Sequence, residues 1–172
     1  MTTAYIDKVA LSHVLSALMP ANALACRVSL ETGLRIGDVL QLRPEQIKKQ
    51  QFTIREMKTG KSRRVYLSKK LWLDLRAHSG DYWVFPGRDP HKHRTRQAVW
   101  ADVKRARVLF RMSENVSPHS MRKIAAVDKF RRTGDLKKVQ LFLNHENMAV
   151  TMLYAMADVL AKNSQKMKKK PP

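Results

Sequence analysis

Arg35, Lys58, His119, Arg122, His145 and Tyr154 stand in four separated stretches of the chain, TGLRIGDVLQL, MKTGK, PHSMR and LNHENMAVTMLY. Three cations, two imidazoles and one phenol can together grip a phosphodiester, attack it and protonate the leaving oxygen. Phosphoryl transfer needs those three services: an in-line nucleophile, stabilisation of charge on the equatorial oxygens, and a proton for the leaving group. Arginine suits the second because its planar fork can hold two phosphate oxygens at once. Taken singly, each residue has an ordinary reading: a surface arginine, a solvated lysine at a turn, a helical tyrosine half-buried in a core. Only the set as a whole points to chemistry.

The composition names the partner. Lys and Arg number 34 against 14 acidic residues, a net charge of +20 in a chain of 172 residues. A positive potential of that size attracts polyanions and speeds association with them, so double-stranded DNA is the expected partner. Membrane attachment is not expected, because no run of 18 apolar residues and no signal-peptide pattern is present. Cys26 is the single cysteine, which excludes an internal disulfide framework and fits a reducing, cytoplasmic setting. No cofactor or metal is expected: acidic residues are sparse, and His91 and His93 in the basic loop HKHRTR read as phosphate contacts rather than a ligand pair. The fragment Gly60-Lys61-Ser62 hints at a nucleotide-binding P-loop, but that motif needs glycine at position 55, where Arg55 stands.

The elements that must position these residues are mostly helical. Residues 5–19 carry Leu11, Leu15 and Leu18 at helical spacing, with Pro20 just beyond. A helix over about 21–32 is apolar on nearly every side and ends at Gly33 as a left-handed cap would end it. A short helix follows over about 35–42, before Pro44. FTIREM and RRVYL read as two strands around the turn Lys58-Thr59-Gly60-Lys61, which puts Lys58 at a hairpin tip. A helix is predicted near 69–77. Another over about 95–111 places Val99, Val103, Ala106 and Phe110 on one stripe and Lys104, Arg107 and Arg111 on a second. Ser117 and Pro118 read as N-cap and first turn of a helix holding His119 and Arg122 on one face, where a helix N-terminus favours an anion. Asp135 caps a helix in which Leu136, Val139 and Leu143 share a face, and Asn147 caps the helix bearing Tyr154. The fold class expected is α+β, mainly α with one small antiparallel sheet. It forms one domain over 1–160, followed by a Lys-rich, disordered tail over 161–172.

Gly33, Leu34, Arg35 and Asp38, with Lys58, the His119-x-x-Arg122 box, His145 and Tyr154 following in order, resemble the catalytic domain of the tyrosine recombinases, the phage and plasmid integrases. The resemblance runs from about residue 20 to about residue 160. It implies a DNA breaking-and-rejoining enzyme in which Tyr154 attacks the scissile phosphate to give a 3′-phosphotyrosine and a free 5′-hydroxyl. Arg35, Arg122 and His145 would bind the non-bridging oxygens, His119 would assist the tyrosine's proton, and Lys58 would protonate the leaving oxygen. Lys61 is a nearby substitute for Lys58. Asp38 reads equally as a residue orienting a basic group or as a cap. Lys61, Arg63, Arg94, Arg96, Lys104, Arg107 and Arg111 are further candidates for DNA contact. Asn144 departs from the family's usual glycine before the histidine, but asparagine also tolerates left-handed geometry. The resemblance further implies a homotetramer on DNA; the apolar patch of Met156, Val159 and Leu160 reads equally as a contact between subunits or as a face folded back onto its own domain. Only about 20 residues precede the match, so a catalytic fragment, or a small integrase using an accessory DNA-bending protein or partner recombinase, is expected. Two alternatives share the charge: a type IB topoisomerase-like enzyme, with the same chemistry, and a non-catalytic DNA-binding regulator.

Overall fold

In the computed structural model, residues 4–161 are described. α1 (Lys8–Ala17) starts at Asp7, whose side chain accepts from the Ala10 N–H, so the helix expected from residue 5 begins three residues later. Pro20 lies just beyond α1, as expected, and is also the first residue of α2 (Pro20–Thr32), where its missing N–H costs nothing. α2 is the central helix, with Leu24, Ala25, Cys26 and Val28 buried. Burial pushes the Cys26 thiol up to about 12, so it packs as a small apolar side chain. Gly33 ends α2 at φ 67°, and a Cβ there would lie 2.7 Å from the Phe142 ring; both facts demand glycine.

α3 (Ile36–Leu40) and a 3-10 turn (Pro44–Ile47) lead into the hairpin of β1 (Gln51–Arg55) and β2 (Ser62–Tyr66). The strands pair antiparallel from Gln51 opposite Tyr66 to Arg55 opposite Ser62. Phe52, Ile54 and Val65 face inward, so the alternation buries one face and leaves the other to water. α4 (Lys69–His78) and a loop braced by the Pro86–His93 bridge precede α5 (Arg96–Leu109). Val99, Val103 and Ala106 of α5 are buried as the stripe predicts. Phe110 is not: the helix has ended there, and the ring is partly exposed, stacked on His13 at 5.1 Å.

The last helices are α6 (Pro118–Thr133), α7 (Leu136–Leu143) and α8 (Met148–Ala155). Their caps are the residues anticipated: Ser117 accepts from the His119 N–H, Asp135 from Lys137 and Lys138, and Asn147 from Ala149. Each such cap contributes about 0.5–2 kcal/mol. Val139 and Leu143 of α7 pack with Ala126 of α6 and Ala155 of α8, with Leu136 partly buried beside them. Beyond α8 the apolar residues are divided: Met156 is half-buried, whereas Val159 and Leu160 are exposed. The expected tail lies almost wholly outside the described residues. Among the described residues no helix is long and apolar enough to cross a membrane.

Candidate active site

Four of the six singled-out residues line one open groove of about 830 Å³: Arg35, Lys58, His119 and Arg122, with Arg96 and Trp100 of α5 on its rim. Local geometry explains the convergence. Gly33 turns the chain at the end of α2, so that Arg35 becomes the N-cap residue of α3. Asp38 on α3 is buried and accepts from the Met57 N–H at 3.0 Å, which fixes the hairpin turn, and with it Lys58, against α3. Burial raises the Asp38 carboxyl above its ordinary range, with neighbouring Glu56 adding to the rise. Ser117 and Pro118 start α6 at the groove's edge and bring His119 and Arg122 there in the first turn and a half.

Arg122 is buried, and its guanidinium donates through Nη1 to the Gly33 carbonyl and through Nη2 to the Leu143 carbonyl. Those carbonyls end α2 and α7, where unpaired C=O groups carry partial negative charge that a cation complements. Burial and the nearby Arg35 and Arg63 pull its pKa down to about 10, so it remains a cation at neutral pH.

His145 and Tyr154 are not among the residues lining the groove, although the charges of Arg122, Arg35 and Lys58 reach His145. Asn144 closes α7 at φ 51°, the left-handed geometry expected of it, and delivers His145 to the turn before α8. The imidazole Nδ1 is 3.3 Å from the Thr151 hydroxyl. The Tyr154 ring meets the imidazole edge to face, with centroids 5.1 Å apart and planes at 86°, and Lys123 Nζ sits 5.6 Å from the Tyr154 ring centre. The two halves of the set therefore meet at Arg122, which touches the end of the helix preceding His145 and also lines the groove.

Burial, followed by the charges of Arg122 and Arg35, drives the His145 pKa down to about 4. His119 is lowered by the same causes in the same order, with Lys123 and Lys58 adding to them. Both imidazoles are consequently neutral at neutral pH in the free protein, ready to accept a proton. A histidine with a depressed folded pKa binds fewer protons folded than unfolded. The stability it contributes is complete above about pH 6.5 and is lost as the pH falls toward about 4. Melting temperature should therefore drop between pH 6.5 and 4, and drop less steeply in His145→Gln. Parallel melting curves for the two proteins would show that His145 is not the responsible group.

The seven further basic candidates separate by direction. Arg96 lines the groove. Lys104 is exposed, 5.2 Å from the centre of the Trp100 ring, and Arg111 is exposed at φ 49°. Lys61 is exposed and paired with Glu146 at 3.2 Å. Three others turn toward the protein: Arg63 bonds Glu56 at 3.2 Å and the Thr32 carbonyl, Arg94 bonds Asn22 at 3.2 Å, and Arg107 bonds the Met112 carbonyl at 3.2 Å. His91 packs on Tyr82 and His93 on Trp83, while His93 Nδ1 lies 2.8 Å from the Arg94 carbonyl. His93 Nε2 also lies 3.4 Å from Gln41 Nε2 at the end of α3.

Sequence reasoning passed over one residue at the centre of this arrangement. Glu56 is fully buried, and it takes Arg35 Nη1 at 2.9 Å and Asn144 Nδ2 at 3.0 Å. Burial opposes its charge, but the Asn144 and Arg63 hydrogen bonds and the two guanidinium charges win, and its pKa lies below the ordinary carboxylate range. Its signal in the sequence is the lone acid between the basic residues Arg55 and Lys58.

A mainly helical domain with a two-stranded hairpin and these basic residues gathered at helix ends now has a direct counterpart. Residues 8–160 match the Phage integrase family. The chain belongs to that family. A candidate integrase/recombinase, y4qK, of Sinorhizobium fredii is 37% identical over 132 residues, covering 71% of this chain and 42% of that protein. The tyrosine recombinase XerD of Yersinia pestis is 27% identical over 135 residues, covering 72% of this chain and 45% of XerD. The fold matches a crystal structure of a lambda integrase dimer bound to a COC′ core site, with a TM-score of 0.76 and 18% identity, over 90% of this chain and 48% of that one. The chain thus spans less than half the length of these relatives.

Proposed function

We propose that this chain is the catalytic portion, over residues 1–160, of a tyrosine-type site-specific recombinase that cuts and rejoins DNA through a 3′-phosphotyrosine. The observation that carries the reading is the groove: Arg35, Lys58, His119 and Arg122 face one space, and Arg122 joins it to the His145–Tyr154 pair. A phosphodiester seated there has guanidinium forks for its non-bridging oxygens, with the N–H of the neutral His145 imidazole as a further donor. Tyr154 attacks phosphorus, neutral His119 assists in taking its proton, and Lys58 at the hairpin turn protonates the departing 5′-oxygen. The phosphotyrosine conserves the ester's energy, so a 5′-hydroxyl from another strand reverses the step without ATP. Repeating the step on four strands calls for a tetramer across two duplexes, assisted by a DNA-bending protein or a partner recombinase. That the fold is shared with an integrase dimer bound to its core site supports DNA as the partner.

The deciding experiment is a nicked duplex whose short 5′-hydroxyl fragment diffuses away after cleavage. A covalent protein–DNA species surviving denaturation is the expected product, and its absence would end the proposal. Strand exchange between two sites, rather than relaxation of supercoils by a monomer, separates a recombinase from a type IB topoisomerase. Binding should also be steeply salt-sensitive. With roughly 6–10 phosphates contacted, affinity falls about 10³–10⁵-fold between 50 and 200 mM salt. A titration in which affinity barely changes over that range would contradict an interface built on phosphates.

A further inference from the structure

We infer that Glu56 is a positioning residue of this site, a buried carboxylate that sets Arg35 in register with Lys58 and His145 without touching DNA. The inference deepens the proposed function and rests on it. Glu56 Oε2 accepts from Arg35 Nη1 at 2.9 Å, Asn144 Nδ2 at 3.0 Å and the Thr59 hydroxyl at 3.3 Å, while Oε1 accepts from Arg63 Nη1 at 3.2 Å. Three of these four partners lie on segments that each carry a different proposed reacting group. Arg35 is the N-cap of α3, Asn144 ends α7 immediately before His145, and Thr59 follows Lys58 in the hairpin turn. Arg63 carries the linkage on to the Thr32 carbonyl at the end of α2. One carboxylate thus joins the three pieces of backbone whose spacing the chemistry depends on.

Electrostatics gives this arrangement a second consequence. Burial and the charges of Arg35 and Arg63 lower Arg122, burial and the charge of Arg35 lower Arg63, and Glu56 is a buried carboxylate bonded to both Arg35 and Arg63. Isolated in an apolar interior, a carboxylate is strongly destabilising; paired with two guanidinium groups and an amide, it holds them apart at fixed distances. A DNA phosphate arriving in the groove is a second anion drawn to the same Arg35. Glu56 therefore weakens the ground-state grip on DNA while fixing the geometry used in the reaction. Removing its charge should separate the two effects, strengthening binding and slowing cleavage. A residue that only supports the fold would harm both together.

Asn144 gives an independent handle. Glycine would accommodate φ 51° at least as well, but it has no amide to offer Glu56. Asn144→Gly removes one strut and leaves every charge in place.

The test uses single-turnover cleavage at saturating nicked DNA, and affinity measured in a Tyr154→Phe background so that binding is separated from chemistry. Glu56→Gln is expected to cleave about 10²-fold more slowly, the scale of a displaced reacting group. It should bind about 2–5-fold more tightly, the scale of one screened charge. Asn144→Gly should cleave several-fold more slowly with affinity unchanged, and it decides the matter if Glu56→Gln does not fold. Weaker binding alongside slower cleavage in folded Glu56→Gln, or wild-type cleavage in either folded variant, overturns the inference. A wild-type protein that never forms the covalent species overturns the proposed function, and the inference falls with it. Normal wild-type cleavage matched by Glu56→Gln overturns the inference alone.

Discussion

Tyr154→Phe is expected to abolish the covalent species on nicked DNA while leaving DNA affinity and melting temperature close to wild type. The substitution removes one oxygen from a half-buried ring whose packing is set by its other atoms: the edge contact with His145 and the Lys123 ammonium over its face. Those contacts persist with phenylalanine, so stability should move by no more than about 0.5 kcal/mol. Chemistry has no such tolerance. Removing a nucleophile costs about 10⁴-fold or more, which takes the adduct below detection in a gel. The pairing of lost chemistry with retained binding carries the weight, because a generally damaged protein would lose both. Tyr66 and Tyr82 are exposed and distant in sequence, and they provide the contrast. An adduct that survives in Tyr154→Phe and disappears in Tyr66→Phe or Tyr82→Phe would place the nucleophile elsewhere.

How far the sequence can be read depends on whether a residue's role is local. Gly33, Ser117, Pro118, Asp135 and Asn147 act on backbone within three or four positions of themselves, and each stands at the helix end anticipated. The alternation in FTIR likewise determines which face of the hairpin is buried. Reading fails where direction depends on tertiary packing. Arg63 and Arg94 are singled out by charge alone, and their bonds to the Thr32 carbonyl and to Asn22 are with partners far away in the chain that a linear pattern does not reveal. Phe110 continues the helical stripe on paper, yet α5 stops at Leu109 and the ring leaves the core. The same limit hid Glu56, a single acid in a basic stretch. Its meaning appears only when α3 and the end of α7 are brought to it. Family resemblance names candidate reacting residues, whereas the carboxylate that ties Arg35 to Asn144 comes into view only in the fold.

Arg122 shows how closely holding and reacting are joined, and Arg122→Ala should damage the fold and the chemistry by separate amounts. Arg122 is 2% exposed, and its guanidinium donates to carbonyls at the ends of two helices, those of Gly33 and Leu143. Alanine leaves both carbonyls buried without that donor, at about 1–3 kcal/mol each, and leaves a void where the side chain lay. A loss of about 3–5 kcal/mol is expected. At 2–4 °C per kcal/mol for a domain of this size, melting should fall by roughly 10 °C. Arg122→Lys distinguishes the two roles. Its ammonium restores the charge but is a single point, unable to span two carbonyls and present a fork to a phosphate. It should recover part of the lost melting temperature, yet cleave about 10²–10³-fold more slowly than wild type, the scale of losing a directed donor to the transition state. Thermal melts and single-turnover cleavage on the same preparations give both numbers. An Arg122→Ala protein that melts like wild type would mean the two helix ends do not depend on this side chain. An Arg122→Lys protein that cleaves like wild type would mean that the positive charge alone, without the fork, is what the phosphate requires.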